Sequence, residues 1–136
     1  MLPFFSLQFP QAARRMLEYR HTTLDGARKR AREMGYLGAC YAWESTVDGT
    51  DVTPDQLVLK SSGQKIPIYT GSQQIHVTAD VAYGVWQYWR CSGDGQFMRD
   101  FGVEILFETA RFWASRCVAE GLFYHLDRVV GPDEYH

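Results

Sequence analysis

The 136-residue chain has only three cysteines, Cys40, Cys91 and Cys117, and no Cys-x-x-Cys pair. An odd, widely spaced set excludes a disulfide framework or a zinc finger and implies reduced thiols, hence a cytoplasmic setting. No apolar run approaches the ~20 residues of a bilayer-spanning helix, so no membrane partner is expected. The opening Met1-Leu2-Pro3-Phe4-Phe5 lacks the basic stretch and long apolar core of a signal peptide. A net charge of −2 without any basic tract offers no field for nucleic acid. Also absent are the Gly-x-Ser-x-Gly elbow, the phosphate-binding Gly-x-x-x-x-Gly-Lys and His-Glu-x-x-His. Asp48, Asp51 and Asp55 do not make a calcium loop, because Thr50 and Val52 stand where further ligands would be needed. His21, His76, His125 and His136 are scattered, and no metal site is expected.

What is present is a one-domain length with 15% aromatic residues, including Trp43, Trp86, Trp89 and Trp113. Aromatics mostly build cores, yet on a pocket wall they also suit the apolar faces of sugars. Phe9-Pro10 opens a helix that runs through Ala12, Ala13, Met16, Leu17 and Arg20. A second helix is expected from Thr23 to Met34, with Leu24, Ala27 and Ala31 on its apolar face and Gly35 as its cap. Arg28, Lys29, Arg30 and Arg32 fill the remaining positions and read as a solvated face rather than a phosphate site. From Gly38 to Gly71 periodicity is lost, predicting a long irregular connection broken at most by short strands. Its middle is too polar for a core.

The spacing predicts a strong helix from Gln74 to Arg90, apolar nearly all round through Val77, Val81, Tyr83, Val85, Trp86, Tyr88 and Trp89. Ser92-Gly93-Asp94-Gly95 breaks it. A further helix from Gln96 to Ala119 carries two apolar stripes, one through Phe97, Phe101, Ile105 and Phe112, the other through Leu106, Trp113 and Cys117. Leu122 to Val130 reads as a short extended segment before the Gly131-Pro132 turn. The fold class is mainly α. Helices apolar on two faces call for partners beyond 136 residues, so one sector of a larger helical assembly is expected.

Two constellations carry chemistry. In Trp43-Glu44-Ser45, a carboxylate that accepts hydrogen bonds from sugar hydroxyls stands beside an indole that packs on a pyranose face. A buried tryptophan beside an exposed glutamate explains the pair equally well. Glu134, between Asp133 and Tyr135, is a candidate proton donor, because glycosidic cleavage needs a carboxylic acid kept protonated by burial or a neighbouring carboxylate. By itself Asp133-Glu134 is also simply a charged pair in a turn.

Four ordered blocks decide between these readings: Tyr19-Arg20-x-x-Thr23-Leu24-Asp25-Gly26-Ala27-Arg28, Gly38-Ala39-x-x-Ala42-Trp43-Glu44-Ser45, Gln73-x-Ile75-His76, and Gly131-Pro132-Asp133-Glu134-Tyr135-His136. The series resembles the central catalytic domain of glycoside hydrolase family 65, the maltose, trehalose and kojibiose phosphorylase group. The resemblance implies a partial six-fold α/α toroid, residues 1–136 being one segment of that domain, truncated at both ends. It implies cleavage of an α-linked glucose disaccharide by inorganic phosphate, with inversion to β-glucose 1-phosphate, no cofactor, and a homodimeric parent. Glu134 corresponds to the family's general acid, flanked in its motif by Asp133 and Tyr135, while Trp43 and Glu44 match the pair that holds the glucosyl unit. Ile68 to Gln74 falls where acceptor subsites are shaped, beside His76.

Here the chain departs from the pattern: Gln73-Gln74 stands where members usually carry Gln-Glu. The family's Phe-Trp-Asp-Thr-Glu block, Lys-Gln pair and phosphate-binding loops are also absent from these 136 residues. The isolated chain is therefore expected not to turn over. The alternatives are an α-glucosidase of the same fold, using water, and a non-catalytic helical fragment with at most weak sugar binding.

Overall fold

A computed structural model describes residues 2–131 of the chain. Pro10 starts α2 (Pro10–Thr22), where a missing N–H costs nothing, and α2 buries Ala13 and Leu17. Thr23 then turns the chain directly into α3 (Leu24–Glu33), which buries Leu24, Ala27 and Ala31. Before them lies α1 (Leu2–Gln8), a short helix that periodicity does not announce and that packs on α2 and on α5 (Val77–Ser92). Gly93, at φ 66°, caps α5.

Asp94 starts the last helical stretch by accepting the Phe97 N–H at 2.9 Å, and the Tyr88 hydroxyl donates to the same carboxylate at 3.0 Å. This stretch is not one regular helix. It comprises α6 (Gly95–Phe97), a π-helical turn over Met98–Gly102, and α7 (Val103–Arg116). In an ideal α-helix, residues four apart drift by about 40° per step. The wider π turn suits the four-residue steps from Phe97 to Phe101 to Ile105, of which Phe97 and Ile105 are fully buried. The helix stops at Arg116 because Cys117 is extended. Val118 and Ala119, expected to continue it, instead begin β3 (Val118–Glu120), which pairs with β4 (Phe123–His125) inside the segment expected to be extended, Val118 standing opposite His125.

The main core joins α2, α3, α5 and α7 through Leu17, Leu24, Val85, Tyr88, Phe97 and Ile105. The long connection has the short strands and polar, exposed middle expected of it, with β1 (Gln56–Val58) antiparallel to β2 (Lys65–Pro67). Its start enters the core: Ala39, Cys40, Tyr41 and Ala42 are buried, and the Cys40 N–H donates to Ala27 O at 3.0 Å. One expectation is corrected: α5 is not covered on all sides. Tyr83 is 57% and Trp86 47% exposed, because neighbours among the described residues cover only the Val81–Val85–Tyr88 face. No described helix is long and apolar enough to cross a membrane.

Gly38 explains how the buried segment enters the core. It adopts φ 71°, and a Cβ there would lie 2.2 Å from Glu108 O and 2.5 Å from Phe112 N on α7. The backbone can pass α7 only without a side chain. Ala39 N–H then donates to Glu108 O at 3.0 Å.

Candidate functional site

The buried run Ala39–Ala42 delivers Trp43 to the start of α5. Tyr41 fixes this approach twice: its N–H donates to Thr78 Oγ1 at 3.0 Å, and its hydroxyl donates to Arg20 O at 2.8 Å. Burial pushes the Tyr41 phenol up from its ordinary pKa, so it stays a neutral donor. Two residues on, the half-buried Trp43 indole meets the His76 imidazole edge to face, with centroids 5.5 Å apart and planes at 76°. These two residues, 33 positions apart in sequence, are neighbours in space.

His76 immediately precedes α5, and its Nδ1 lies 2.9 Å from Asp80 Oδ2, one helical turn later. A carboxylate on one ring nitrogen orients the imidazole and sets which nitrogen carries a proton. The other nitrogen, Nε2, is buried without a hydrogen-bond partner in the structure. Asp80 also lines an open, largely apolar groove of about 650 Å³ between α2 and α5, together with Met16, Leu17, Tyr19, Arg20 and Val77. The pairing of Asp80 with His76 was readable as a helical i,i+4 spacing, yet sequence reasoning passed over it.

Glu44 is exposed, and its backbone rather than its carboxylate is anchored. Its N–H donates to Thr53 Oγ1 at 3.0 Å, and its carbonyl accepts the Val52 N–H at 2.9 Å. The loop that follows returns through a bridge between Ser45 and Asp51, and the Tyr19 hydroxyl donates to Thr46 O at 3.0 Å. Gly49, at φ 84°, lets this loop lie on the junction of α2 and α3, where an added Cβ would sit 2.6 Å from Thr23 O.

Within this loop Thr46 Oγ1 and the Thr50 N–H both donate to Asp48 and hold its carboxyl down at about 2. The depressed value means that the stabilisation from these two local bonds is fully present above 3.8, the ordinary value, and is lost as pH falls through about 2. Thr46→Ala, which removes the larger contribution, is expected to return the Asp48 titration toward 3.8 in a carboxyl-detected NMR pH series.

Gln73 ends the short helix α4 (Thr70–Gln73), and Gln74 is buried in the link to α5. The carbonyl of Gln73 accepts the Val130 N–H at 3.1 Å. The chain thus returns to this neighbourhood just before Gly131. Glu134, Asp133 and Tyr135, the candidate acid and its flanks, lie outside the described residues. Of the candidate residues, Trp43 and His76 are brought together, Glu44 is adjacent to them in sequence, and Gln73 and Gln74 sit just before His76. The three cysteines are unpaired.

The arginine-rich face of α3 was expected to be solvated, and for Arg30 this is wrong. Arg30 is buried, with Nε 2.7 Å from Asp51 Oδ2. It lies between the helix and the loop, where it donates to the Tyr41 and Gly71 carbonyls.

Residues 1–136 match the family profile described as glycosyl hydrolase family 65 central catalytic domain. Kojibiose phosphorylase of Halothermothrix orenii is 52% identical over 99% of this chain. The 1,2-alpha-glucosylglycerol phosphorylase of Bacillus selenitireducens is 44% identical over 99% of it. In both cases the chain spans only 18% of the relative's length. A solved structure from the human microbiome, provisionally described as a kojibiose phosphorylase, superposes with a TM-score of 0.81 at 27% identity, over 98% of this chain and 16% of that one. The helices apolar on two faces are those of a partial α/α toroid, and the chain belongs to the family of the glycosyl hydrolase family 65 central catalytic domain.

Proposed function

We propose that these residues form the glucosyl-binding sector of an inverting disaccharide phosphorylase that acts on a 1,2-linked α-glucoside such as kojibiose. The observation that carries the reading is the 52% identity to a kojibiose phosphorylase over 99% of the chain. In this reading the Trp43 face packs on the glucosyl ring, and the exposed Glu44 carboxylate accepts from its hydroxyls. His76, oriented by Asp80, stands behind the indole. The Gln73–Gln74 segment borders the acceptor sugar, with the Gln74 side chain buried behind it. Glu134 gives a proton to the glycosidic oxygen as phosphate attacks the anomeric carbon from the opposite side, so the product is β-glucose 1-phosphate. Phosphate is already a nucleophile, and one carboxylic acid therefore suffices where hydrolysis by inversion needs two.

The chain contributes one part of that machinery. Purified alone, it is expected to release no glucose 1-phosphate from kojibiose. Exchanged for the corresponding segment of the Halothermothrix orenii enzyme, it is expected to support phosphorolysis within about tenfold of the parent rate, a loss of up to about 1.4 kcal/mol in transition-state stabilisation. A folded chimera that cleaves kojibiose at the same rate with and without phosphate would replace this reading by a glucosidase. A folded chimera with no cleavage at all would reject both.

A further inference from the structure

Arg30 is a charged side chain buried in the middle of α3, and it reaches three separate stretches of chain. Its Nη1 donates to Tyr41 O at 3.2 Å and reaches Cys40 Sγ; its Nη2 donates to Gly71 O; its Nε binds Asp51 Oδ2 at 2.7 Å. Asp51 passes the constraint on. Its other oxygen, Oδ1, accepts the Thr53 N–H at 2.9 Å and the Thr53 hydroxyl at 2.6 Å, and Thr53 Oγ1 accepts the Glu44 N–H. In the opposite direction Gly71 stands two residues before Gln73, whose carbonyl holds the Val130 N–H. Hydrogen bonds thus lead from one guanidinium to the backbone of Glu44 on one side and to the Gln73 segment on the other.

We propose that Arg30 is a positioning residue of the glucoside site, setting the separation between the Trp43–Glu44 segment and the Gln73–Gln74 segment. The inference rests on reading those segments as the two sides of the cleavage site. A guanidinium suits this role because its planar fork addresses several acceptors in fixed directions, whereas an ammonium is a point charge that cannot span them. Burial raises the stakes: without the guanidinium, Asp51 loses its cation, and the Gly71 and Tyr41 carbonyls lose a donor. A helix face that only kept the chain soluble would use none of these bonds.

Arg30→Lys separates positioning from simple stability, since it keeps the charge and loses the fork. Amide exchange on the 136-residue chain tests the linkage without any assumption about activity. Arg30→Lys is expected to accelerate exchange at the Glu44, Thr53 and Val130 amides by about tenfold or more, with amides inside α5 held within about twofold. Uniform acceleration, or none at the three sites, would overturn the proposal. In the active chimera the same substitution is expected to raise KM for kojibiose by about tenfold or more and change kcat by less than about threefold. Arg30→Ala is expected to regain part of that affinity with millimolar guanidinium but not with sodium at equal ionic strength. An unchanged KM in Arg30→Lys would refute the role in the site. An inactive chimera would count against the phosphorylase reading alone, since the exchange pattern still decides the linkage.

Discussion

In the chimera that carries this chain, Glu134→Gln is expected to lower kcat for kojibiose phosphorolysis by about 10²–10⁴-fold, the usual worth of a general acid. Glutamine keeps the shape and the hydrogen-bonding reach of the side chain and removes only the transferable proton. KM should therefore move by less than about threefold, because the loss falls on the transition state and not on ground-state binding. The leaving group provides the decisive comparison. An alkoxide leaving from kojibiose must be protonated as the bond breaks, whereas fluoride leaves without that help. With α-glucosyl fluoride and phosphate as substrates, the Glu134→Gln deficit should shrink to about tenfold or less. Equal losses on both substrates would mean that Glu134 holds the sugar and does not protonate it. Trp43→Ala serves as the contrasting case, expected to raise KM with both substrates alike because it removes a stacking surface.

Gly38→Ala is expected to be the most damaging small substitution in the described fold. The added carbon meets the Glu108 carbonyl oxygen at 2.2 Å, the Phe112 nitrogen at 2.5 Å and the Arg111 Cβ at 2.8 Å. Two of these three are helix backbone, which cannot rotate away. Left-handed backbone costs an alanine roughly 1–2 kcal/mol, and overpacking adds roughly 1–3 kcal/mol. Together they take a large share of the stability of a typical domain, about 5–15 kcal/mol. Urea denaturation followed by circular dichroism should show the midpoint falling sharply or the transition vanishing. Gly35→Ala is the matched control. Gly35 also has positive φ, at 85°, but has nothing within 4 Å of the added carbon, so only the backbone cost should remain. Similar losses in the two variants would show that the close passage beside α7 does not govern stability.

The helices that carry the core were legible because their apolar residues repeat at helical spacing. Leu17, Leu24, Ala27, Val85 and Phe112 are all buried as that pattern requires. The α1 helix was not legible, being seven residues long and lacking a full apolar stripe. Ala39–Ala42 was hidden for another reason: it is buried as irregular chain, threaded between α3 and α7, and no period marks such a path. The site was legible as residues but not as an arrangement. Trp43 and His76 could each be singled out, while their contact depends on Tyr41 reaching Thr78, a long-range bond. Arg30 was misread because charge on a helix between apolar positions normally faces water, and only the returning loop reveals its acceptors.

The uncovered face of α5 has an optical consequence. Trp86 and Trp89 are 47% and 40% exposed, while Trp43 and Trp113 are partly covered by their neighbours. Half of the indoles in this chain are therefore partly wet and are expected to emit toward the red side of the tryptophan range. When that face is covered, as it would be inside a complete toroid, their emission moves to the blue without any label. Emission colour alone thus records whether α5 is wet or buried.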